Sequence, residues 1–394
     1  MNLEYSKQQL CAAALSELPG MTTARLRRLL VRWTGDDAVE AVSTGHPELV
    51  GLLDGCRDAE KDLPRWRSAA KRVSLDQVAD RYGRRNVGIW VHPGERETGA
   101  VLGHDTLWPR QLAERFGDDE EYPPVLFTRG DLGALDRPRV SIVGTRDPTN
   151  MGRAFAGQMG AELGAHGVSV VSGLALGIDT LAHTGALRHE GSKPIAVVGT
   201  GLDVIYPRSG QVLWERVATH GLLVSERPLG SPPLSIAFPA RNRIIAQLGQ
   251  VLVVVESRAK GGSLITADRA FDRGRPVLCV PGSPLVEQSA GTNALLRGGI
   301  GEQRALACLE VGDVLVLLQL EKVQQLSFQE LRETPSPRAL TLLNTMDFGG
   351  WNVGRLAQMT RRSLMEVTFD LMELERCAWV ERVEGRWQRK VGNL

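Results

Sequence analysis

The chain has 394 residues, 42% of them hydrophobic, and its 47 basic and 46 acidic side chains leave a formal net charge of +1. That length predicts two or three domains, and the hydrophobic share is typical of globular proteins. The balanced charge excludes a uniformly basic surface for polyanions, so any anion site must come from local clustering.

The sequence indicates neither a targeting segment nor a membrane anchor. The first residues, MNLEYSKQQL, lack the basic start and apolar core of a secretory signal, and the longest apolar runs are far shorter than a membrane span. The five cysteines show no zinc-ligand or redox spacing, as expected in a reducing compartment. We therefore expect a soluble, cytoplasmic protein with no membrane span and no metal site.

Residues 1–85 are predicted to form a helical domain of the SAM or helix-hairpin-helix type. The segment LSELPGMTTARLRRLL (15–30) places a Pro-Gly turn between two apolar-periodic stretches, with Thr22 and Thr23 as candidate N-caps. In a helix-hairpin-helix, such a turn and helix N-terminus can hold a DNA phosphate. A packing turn within a small bundle is the interpretation that we favour.

Residues 86–318 are predicted to form an extended Rossmann-like domain, with residues 139–301 as its core. Residues 86–135 contain strand-like pieces, and strand-like and helical runs then alternate from 139 onwards. The strand-like runs, such as VSIVG and VLVVVE, are continuously apolar, which indicates strands buried on both faces. Strand–helix alternation of this length predicts a doubly wound parallel sheet, hence the α/β class.

The C-terminal part is predicted to be a linker (319–338) followed by a winged-helix domain (339–394) with three helices and a hairpin. A winged helix places its third helix in a duplex groove. Here that helix, residues 363–377, carries four acids that would repel phosphates, so we expect a protein-binding or auxiliary DNA role. The acids are Glu366, Asp370, Glu373 and Glu375, and the nearby cations are Arg361, Arg362, Arg386, Arg389 and Lys390.

Glycine follows nearly every predicted strand of the α/β domain. Ligands of parallel sheets collect at the carboxyl ends of the strands, where helix N-termini offer backbone N–H groups and glycine allows close approach. A packing role would explain one such turn, but five on one edge predict an anion-binding site. The turns are 144–146, 172–174, 199–201, 261–263 and 281–282.

The residues after the first strand argue against a nucleotide cofactor. A dinucleotide site needs G-x-G-x-x-G and an acid about twenty residues later, but Gly144 is followed by Thr145 and Arg146. No Walker motif occurs either. We therefore expect no cofactor, and we interpret Arg146 as a contact for a phosphodiester, which a guanidinium holds through two parallel hydrogen bonds.

Further cations and an aromatic ring follow in the second half of the domain. Arg208 stands in YPRSG, and FPARNRIIA places Phe238 before Arg241, Asn242 and Arg243. Cations for a phosphate backbone and a ring for base stacking suit single-stranded nucleic acid. Core packing for the ring, and a solvated helix face or an internal salt bridge for the arginines, are the alternatives.

No catalytic constellation is evident. Asp179 and His183 share one helix face and could act as acid and base or as metal ligands, but we favour a role in bracing the adjacent backbone. Ser263 and Thr266 lack the histidine of a triad. The sequence predicts a binding scaffold and not an enzyme.

Taken together, the motifs resemble the DNA-processing protein DprA (Smf) family over about residues 100–301. The resemblance rests on VSIVGTRDPTNMG, SGLALGIDTLAHTGAL, IAVVGTGLDVIYP, SERPLGSPPLSIAFPARNRIIAQL, VVVESRAKGGSLITADRAFDRGRPVLCVPG and SAGTNALLRGGI, and upstream on HDTLWPRQL, where Trp108 replaces the usual tyrosine. It implies a protein that binds and protects incoming single-stranded DNA and loads RecA onto it in natural transformation. It also implies a homodimer through the Rossmann-like domain, with single-strand-binding protein as a further candidate partner.

The resemblance also implies the site residues. Arg146 would be the leading phosphate contact, and Ser235 stands where some members have lysine, which would leave more of the affinity to Arg146 and Arg208. The full set of expected single-stranded DNA contacts is Gly144, Thr145, Arg146, Ser172, Gly173, Arg208, Phe238, Arg241, Asn242, Arg243, Gly262 and Ser263.

Two other functions are open at this point. The same topology serves nucleotide phosphoribohydrolases, whose P-G-G-x-G-T-x-x-E loop is echoed by KGGSLITAD without its proline, glycine-threonine pair and glutamate. The wing could instead make the protein a duplex-specific regulator.

Overall fold

The computed structural model describes residues 4–56, 59–92, 108–109, 112, 116, 121–298, 304–320, 335–346, 350–377, 379–383 and 385–389. Most of the expected linker (321–334), the end of SAGTNALLRGGI and Lys390 lie outside these residues. The chain divides into two compact units, Met1–Leu320 and Glu321–Leu394. No described helix combines the length and the apolar character needed to cross a bilayer.

Six helices begin the first unit. They bury Leu15, Leu29 and Trp66 in a core that continues into the adjoining sheet through Ile89 and Phe127. The helices are therefore packed as part of the α/β unit. Their bounds are Lys7–Ser16 (α1), Thr23–Arg32 (α2), Gly35–Thr44 (α3), Glu48–Leu52 (α4), Ala59–Ala70 (α5) and Leu75–Gly83 (α6).

A nine-stranded sheet forms the centre of the first unit, in the order β1-β2-β6-β5-β4-β3-β7-β8-β9. Strands β3 to β9 pair in parallel, and β1 and β2 join beside β6 in antiparallel orientation. The sheet is thus mostly parallel. Its strands are Gly88–Val91 (β1), Val125–Gly130 (β2), Arg139–Val143 (β3), Ser169–Ser172 (β4), Ile195–Val198 (β5), Leu222–Ser225 (β6), Val251–Val254 (β7), Val277–Cys279 (β8) and Leu306–Ala307 (β9).

The two antiparallel strands come from the region that the sequence marked only as strand-like pieces. The outermost strand, β1, is covered by α1: the Gln9 side-chain amide donates to the carbonyl oxygen of Ile89 (2.6 Å), and the Tyr5 hydroxyl donates to that of Val87 (2.8 Å). Burial raises the pKa of Tyr5 to about 12. Side chains of the N-terminal segment therefore satisfy backbone groups beside the edge of the sheet.

Helices cover both faces of the parallel strands, as their continuous burial requires. One apolar core contains α7, α8 and α13, and another contains α10, α11 and α12. The helices of this region are Asn150–Ala165 (α7), Ile178–Ala186 (α8), Gln211–His220 (α9), Ala237–Leu248 (α10), Gly262–Phe271 (α11), Ala290–Arg297 (α12) and Val311–Leu317 (α13).

The order of the strands determines where a ligand can bind. The chain winds from β3 outwards to β6 and then returns to place β7 on the other side of β3. The two halves diverge between β3 and β7, and open α/β sheets bind their ligands in the crevice at such a switch point.

The second unit contains the helices Pro337–Thr345 (α14), Val353–Thr360 (α15) and Leu364–Arg376 (α16) and the hairpin Val380–Val383 (β10) and Arg386–Arg389 (β11). Leu342, Leu356, Leu371 and Trp387 lie in its apolar core.

Three of the four acids on α16 form ion pairs or hydrogen bonds within the C-terminal unit. Asp370 is fully buried and pairs with Arg338 (2.7 Å) and Arg362. Glu373 accepts hydrogen bonds from the Ser336 backbone and side chain, and Glu366 caps its own helix through Ser363. The expected repulsion of DNA by these acids is therefore weaker than their number suggests, because the Asp370 charge is neutralised inside the unit.

Candidate nucleic-acid interface

A cleft of about 640 Å³ opens at the switch point between β3 and β7. Three segments form most of its lining: residues 143–146 at the end of β3, the first two turns of α10, and a stretch within 257–266 that runs from the loop after β7 into α11. These segments are distant in sequence, and the parallel sheet brings them together because its strands all end at one edge. The other lining residues are Ala175, Asp179, Tyr206, Pro233 and Ser235.

Close packing fixes the turn that carries Arg146. A Cβ atom on Gly144 would lie 2.6 Å from the Ile178 side chain and 3.0 Å from the carbonyl oxygen of Glu256, so a larger residue would move the turn. The Thr145 N–H donates to that same carbonyl oxygen (2.8 Å). Backbone contacts thus hold the turn, and the Arg146 side chain is left exposed at the mouth of the cleft.

Arg146 lies over an aromatic ring. Its guanidinium carbon is 6.0 Å from the centroid of the half-buried Phe238 ring, which is the outer limit of a cation–π contact. The Tyr206 ring, 42% exposed, lies 5.2 Å from Phe238 at an interplanar angle of 36°. One wall of the cleft therefore combines an exposed cation with two aromatic rings.

The head of α7 is occupied by the protein itself. The Glu256 carboxylate accepts hydrogen bonds from the Thr149 N–H (2.9 Å) and the Thr149 hydroxyl (2.5 Å), just before the helix begins at Asn150. In a dinucleotide-binding fold, the corresponding helix N-terminus holds the pyrophosphate. A side-chain carboxylate takes that place here, which gives a physical reason for the missing cofactor motif.

The head of α11 faces the cleft instead. Its N-cap is Gly261, which has no side chain to cap the helix, and Gly262 and Ser263 line the cleft. Helix N-termini carry partial positive charge. Within the described residues, the exposed Lys260 has no ion pair, and Arg258 binds Asp147 (3.4 Å) and Glu287 (3.1 Å) at the surface.

Arg241 contributes to the cleft wall, but its side chain is almost completely buried. It is only 7% exposed and donates to the carbonyl oxygens of Gly173 (2.8 Å) and Val197. Its guanidinium is 4.0 Å from the Asp179 carboxylate, and burial lowers the pKa of Arg241 to about 10. The Asn242 side chain links α10 to the head of α11. Its amide oxygen accepts a hydrogen bond from Arg241 (3.2 Å), and its amide nitrogen donates one to the Gly262 carbonyl oxygen (3.4 Å).

Three other expected contacts lie outside the lining of this cleft. Arg243 forms a largely buried ion pair with Glu226 (2.5 Å), and the buried Ser172 hydroxyl donates to the carbonyl oxygen of Ile142 (2.6 Å). Arg208 is exposed in the short 3₁₀ helix Arg208–Gly210. Of these three residues, Arg208 is therefore the one with an exposed, charged side chain.

Asp179 and His183 differ in their surroundings. Asp179 accepts from the Gly173 N–H (3.1 Å), and burial raises the pKa of its carboxyl group, opposed by the nearby Arg241. His183 is fully buried, and neither ring nitrogen has a hydrogen-bond partner among the described residues. Burial lowers the pKa of His183 to about 3, so the ring is neutral at pH 7. The expected role of bracing the adjacent backbone therefore applies to Asp179 and not to His183.

The structure brings together eight of the twelve expected residues as the lining of one cleft, and Gly173 lines an adjoining pocket of about 50 Å³. Sequence reasoning missed Tyr206, Arg258 and Lys260. Tyr206 belongs to the YPRSG segment, and Arg258 and Lys260 directly precede a glycine turn, so each carried a usable signal. The eight residues are Gly144, Thr145, Arg146, Phe238, Arg241, Asn242, Gly262 and Ser263.

The N-terminal Pro-Gly turn is held by internal contacts. Gly20 has a positive φ of 73°, and a Cβ atom there would lie 2.9 Å from the Asp62 carboxylate. Arg25 donates to the Gly20 carbonyl oxygen (2.6 Å) and to Asp62 (2.8 Å). Arg27 donates to the carbonyl oxygen of Tyr122. These internal contacts support the packing-turn interpretation.

The fold and the cleft define an α/β protein with a cationic, partly aromatic cleft at the switch point of its sheet. The sequence model of the family "DNA recombination-mediator protein A" matches residues 100–316. Protein Smf of Synechocystis sp. is 35% identical over 300 residues, which cover 68% of this chain and 75% of that protein. The chain belongs to this family, known as DprA or Smf.

Two comparisons with a pneumococcal member agree. DNA processing protein DprA of Streptococcus pneumoniae is 41% identical over 240 residues, covering 58% of this chain and 83% of that protein. The X-ray structure of DNA processing protein A from Streptococcus pneumoniae superposes with a TM-score of 0.60 and 29% identity, covering 80% of this chain and 98% of that chain.

Proposed function

We propose that the cleft binds the backbone of single-stranded DNA, and that the protein mediates recombination by loading RecA onto the bound strand. The observation that carries the proposal is the placement of the exposed Arg146 guanidinium beside the Phe238 ring. An unpaired strand offers a phosphate and an unstacked base at neighbouring positions, and this pair offers one group for each. A duplex keeps its bases stacked and cannot use the ring without distortion.

The contacts of each residue suggest its role. Arg146 is suited to grip a phosphate and Phe238 to stack on a base. The backbone N–H groups of Gly262 and Ser263 at the head of α11 are suited to face a second phosphate oxygen, whereas the buried Ser263 hydroxyl donates to Ser257 (2.8 Å). Arg208 is suited to bind the strand beyond the cleft because it is exposed. Gly144 and Thr145 shape the turn that presents Arg146.

The buried members of the expected set are positioning residues in this proposal. Arg241 ties Gly173, directly after β4, and Val197 of β5 to α10, and Asn242 connects α10 to α11. Gly173 leaves room for the Arg241 guanidinium, Ser172 binds the end of β3, and Arg243 is committed to Glu226. We assign direct strand contact to none of these.

The remaining parts of the proposal follow from membership of the family. The protein would protect incoming strands and act with RecA, and with single-strand-binding protein, in natural transformation, as a non-enzymatic homodimer joined through the α/β domain. We interpret that domain as an extended Rossmann-like fold, the N-terminal helices as a SAM-like domain, and residues 339–394 as a winged helix.

A salt titration tests the DNA part of the proposal. Binding of one oligonucleotide, single-stranded and annealed to its complement, is measured by fluorescence anisotropy between 50 and 200 mM salt. We expect tighter binding of the single strand and a log–log salt slope of about −0.7 per phosphate contacted. Equal or tighter duplex binding would overturn the proposal in favour of a duplex regulator, and release of free base from nucleoside monophosphates would favour the phosphoribohydrolase.

A RecA assay tests the loading step separately. The rate of RecA filament formation is measured on a strand already covered with single-strand-binding protein, with and without this protein. We expect a shorter lag with the wild-type protein and no shortening with Arg146→Ala. An unchanged lag with the wild-type protein, at a concentration at which it binds the strand, would contradict loading while leaving DNA binding intact.

A further inference from the structure

A second surface, in the C-terminal unit, has the properties of a protein-binding face. Five large apolar side chains on α15 and α16 are between 56% and 71% exposed, and we call them the α16 apolar face. Contiguous exposed apolar groups on a folded unit mark interaction sites more often than isolated ones do. The five are Met359, Leu364, Met365, Phe369 and Met372.

The spacing places three of these residues in one stripe of α16, whereas Met359 belongs to α15 and Leu364 lies about 100° around the helix from Met365. Met365, Phe369 and Met372 follow the i, i+4, i+7 spacing of a single helix face. The opposite face, with Val367, Leu371 and Leu374, is buried in the core of the unit. Helix α16 is thus apolar on both sides, and the core needs only one of them.

The chemistry of the stripe does not suit a DNA groove. A recognition helix reads base edges with polar and cationic side chains and contacts phosphates at its flanks. The central positions of the α16 apolar face instead carry two methionines and a phenylalanine. Methionine is flexible and polarisable, and it recurs on surfaces that accommodate apolar side chains of partner helices.

Acidic residues flank the stripe on both sides, and the exposed Arg376, four residues after Met372, ends the stripe itself. Glu366 and Glu373, seven residues apart, lie along one side of the helix, and Glu375 lies along the other. Antiparallel pairing of two α16 helices about a twofold axis would place the Glu366–Glu373 side of one copy against the same side of the other, and parallel pairing would place it against the Glu375 side. Like charges would then face each other, which disfavours a second copy as the occupant.

We propose that the α16 apolar face binds a basic amphipathic helix of a partner protein. Apolar side chains of that helix would pack on Met365, Phe369 and Met372, and its lysine or arginine side chains would meet the acidic flanks. All residues of this face belong to the C-terminal unit, and the residues that line the proposed DNA cleft belong to the first unit.

The test uses the full chain labelled with ¹³C at the methionine methyl groups. The probe is an 18-residue peptide of leucine and lysine with helical amphipathic spacing, and the control peptide has glutamate in place of lysine. We expect the signals of Met359, Met365 and Met372 to shift with the basic peptide and not with the acidic one. Met151, which is 79% exposed in the first unit, serves as the internal reference.

Three variants test whether the peptide binds at this face or nonspecifically. Phe369→Ser should weaken binding of the basic peptide at least tenfold, and Glu375→Lys should weaken it severalfold. Val212→Ser, at a position 74% exposed on α9, should leave it unchanged. An unchanged far-ultraviolet circular dichroism spectrum of each variant would show that the unit has remained folded.

Four outcomes would overturn the proposal. They are equal binding of both peptides, shifts of Met151 as large as those of the α16 apolar face, shifts on dilution without peptide, which would indicate a second copy, and shifts on adding duplex DNA. Retained peptide binding by Phe369→Ser would likewise place the contact elsewhere.

Discussion

The guanidinium carbon of Arg146 lies 6.0 Å from the centroid of the Phe238 ring, and both side chains line the cleft at the switch point of the sheet. The two residues come from segments 92 positions apart that end at one edge of the sheet. The first two predictions test them one at a time.

Arg146→Ala should weaken binding of single-stranded DNA several-fold, because it removes one charge-assisted phosphate contact. The magnitude of the salt slope should fall by roughly 0.7. The melting temperature should stay within error, because the side chain is exposed. Arg188→Ala, another exposed arginine beyond the far end of α8, is the matched control. An unchanged slope in Arg146→Ala would mean that Arg146 does not contact the backbone.

Phe238→Leu should weaken binding of a normal single strand by about 1–3 kcal/mol, the usual contribution of one stacked base. The same variant should bind a strand of abasic sites as tightly as the wild-type protein does, because no base is present to stack. Anisotropy titrations with both strands make the comparison. An equal loss on both strands would assign Phe238 to packing of the cleft wall.

Arg241→Met should act through stability. Removing one partner of a buried ion pair costs about 3–5 kcal/mol, and here it leaves the buried Asp179 carboxylate without its counter-charge. We expect a lower urea midpoint and weaker DNA binding with an unchanged salt slope. Arg243→Met removes a comparable pair outside the cleft, so it should lower stability and spare the affinity of the folded protein. A stable Arg241→Met protein with a reduced slope would show direct phosphate contact.

His183 should make the protein sensitive to mild acid. Its pKa is lowered to about 3 in the folded state, so between pH 6.5 and 3 the unfolded chain binds the extra proton and stability falls as the pH falls. At pH 5 the loss relative to neutral pH is about 2 kcal/mol. His183→Leu should remove that part of the loss in urea titrations at pH 7.5 and 5.0. Identical pH dependence in both proteins would contradict the prediction.

Glu256→Ala should open the head of α7 to anions. The variant loses two hydrogen bonds and a favourable charge at a helix N-terminus, so we expect a lower melting temperature. Added sulfate should raise that temperature more in the variant than in the wild-type protein, because the vacated position suits an anion. Glu287→Ala, which removes an exposed partner of Arg258, should respond to sulfate as the wild-type protein does. Equal responses in all three would argue against an anion position there.

The sequence predicted the parallel strands and the glycine-rich edge because both depend on local patterns. In VSIVG, for example, Val140, Ile142 and Val143 are apolar without a regular alternation, and Gly144 follows directly where β3 ends. The gathering of Gly144, Phe238 and Gly262 then follows from the parallel topology. The family assignment made on the same motifs is confirmed.

The orientation of the arginines could not be predicted in this way. Arg241 and Arg243 lie two residues apart on α10, and only the rotation of the helix about its axis decides which side chain faces the cleft. Their partners Asp179 and Glu226 are 62 and 17 residues away, so no local pattern connects them. The same holds for Glu256, which occupies the head of a helix that begins 106 residues earlier.

The side chains of Gln9 and Tyr5 donate hydrogen bonds to backbone carbonyl groups in and beside β1. The N-terminal segment therefore protects this edge strand of the sheet. A strand at the margin of a sheet offers unpaired amide and carbonyl groups that can recruit another chain. Shortening the protein to begin at residue 86 would strip that shield from β1, and we expect such a fragment to aggregate as its concentration rises. A form of this domain without the helices would need another feature that prevents pairing at β1, such as a charged side chain, a proline or a bulge.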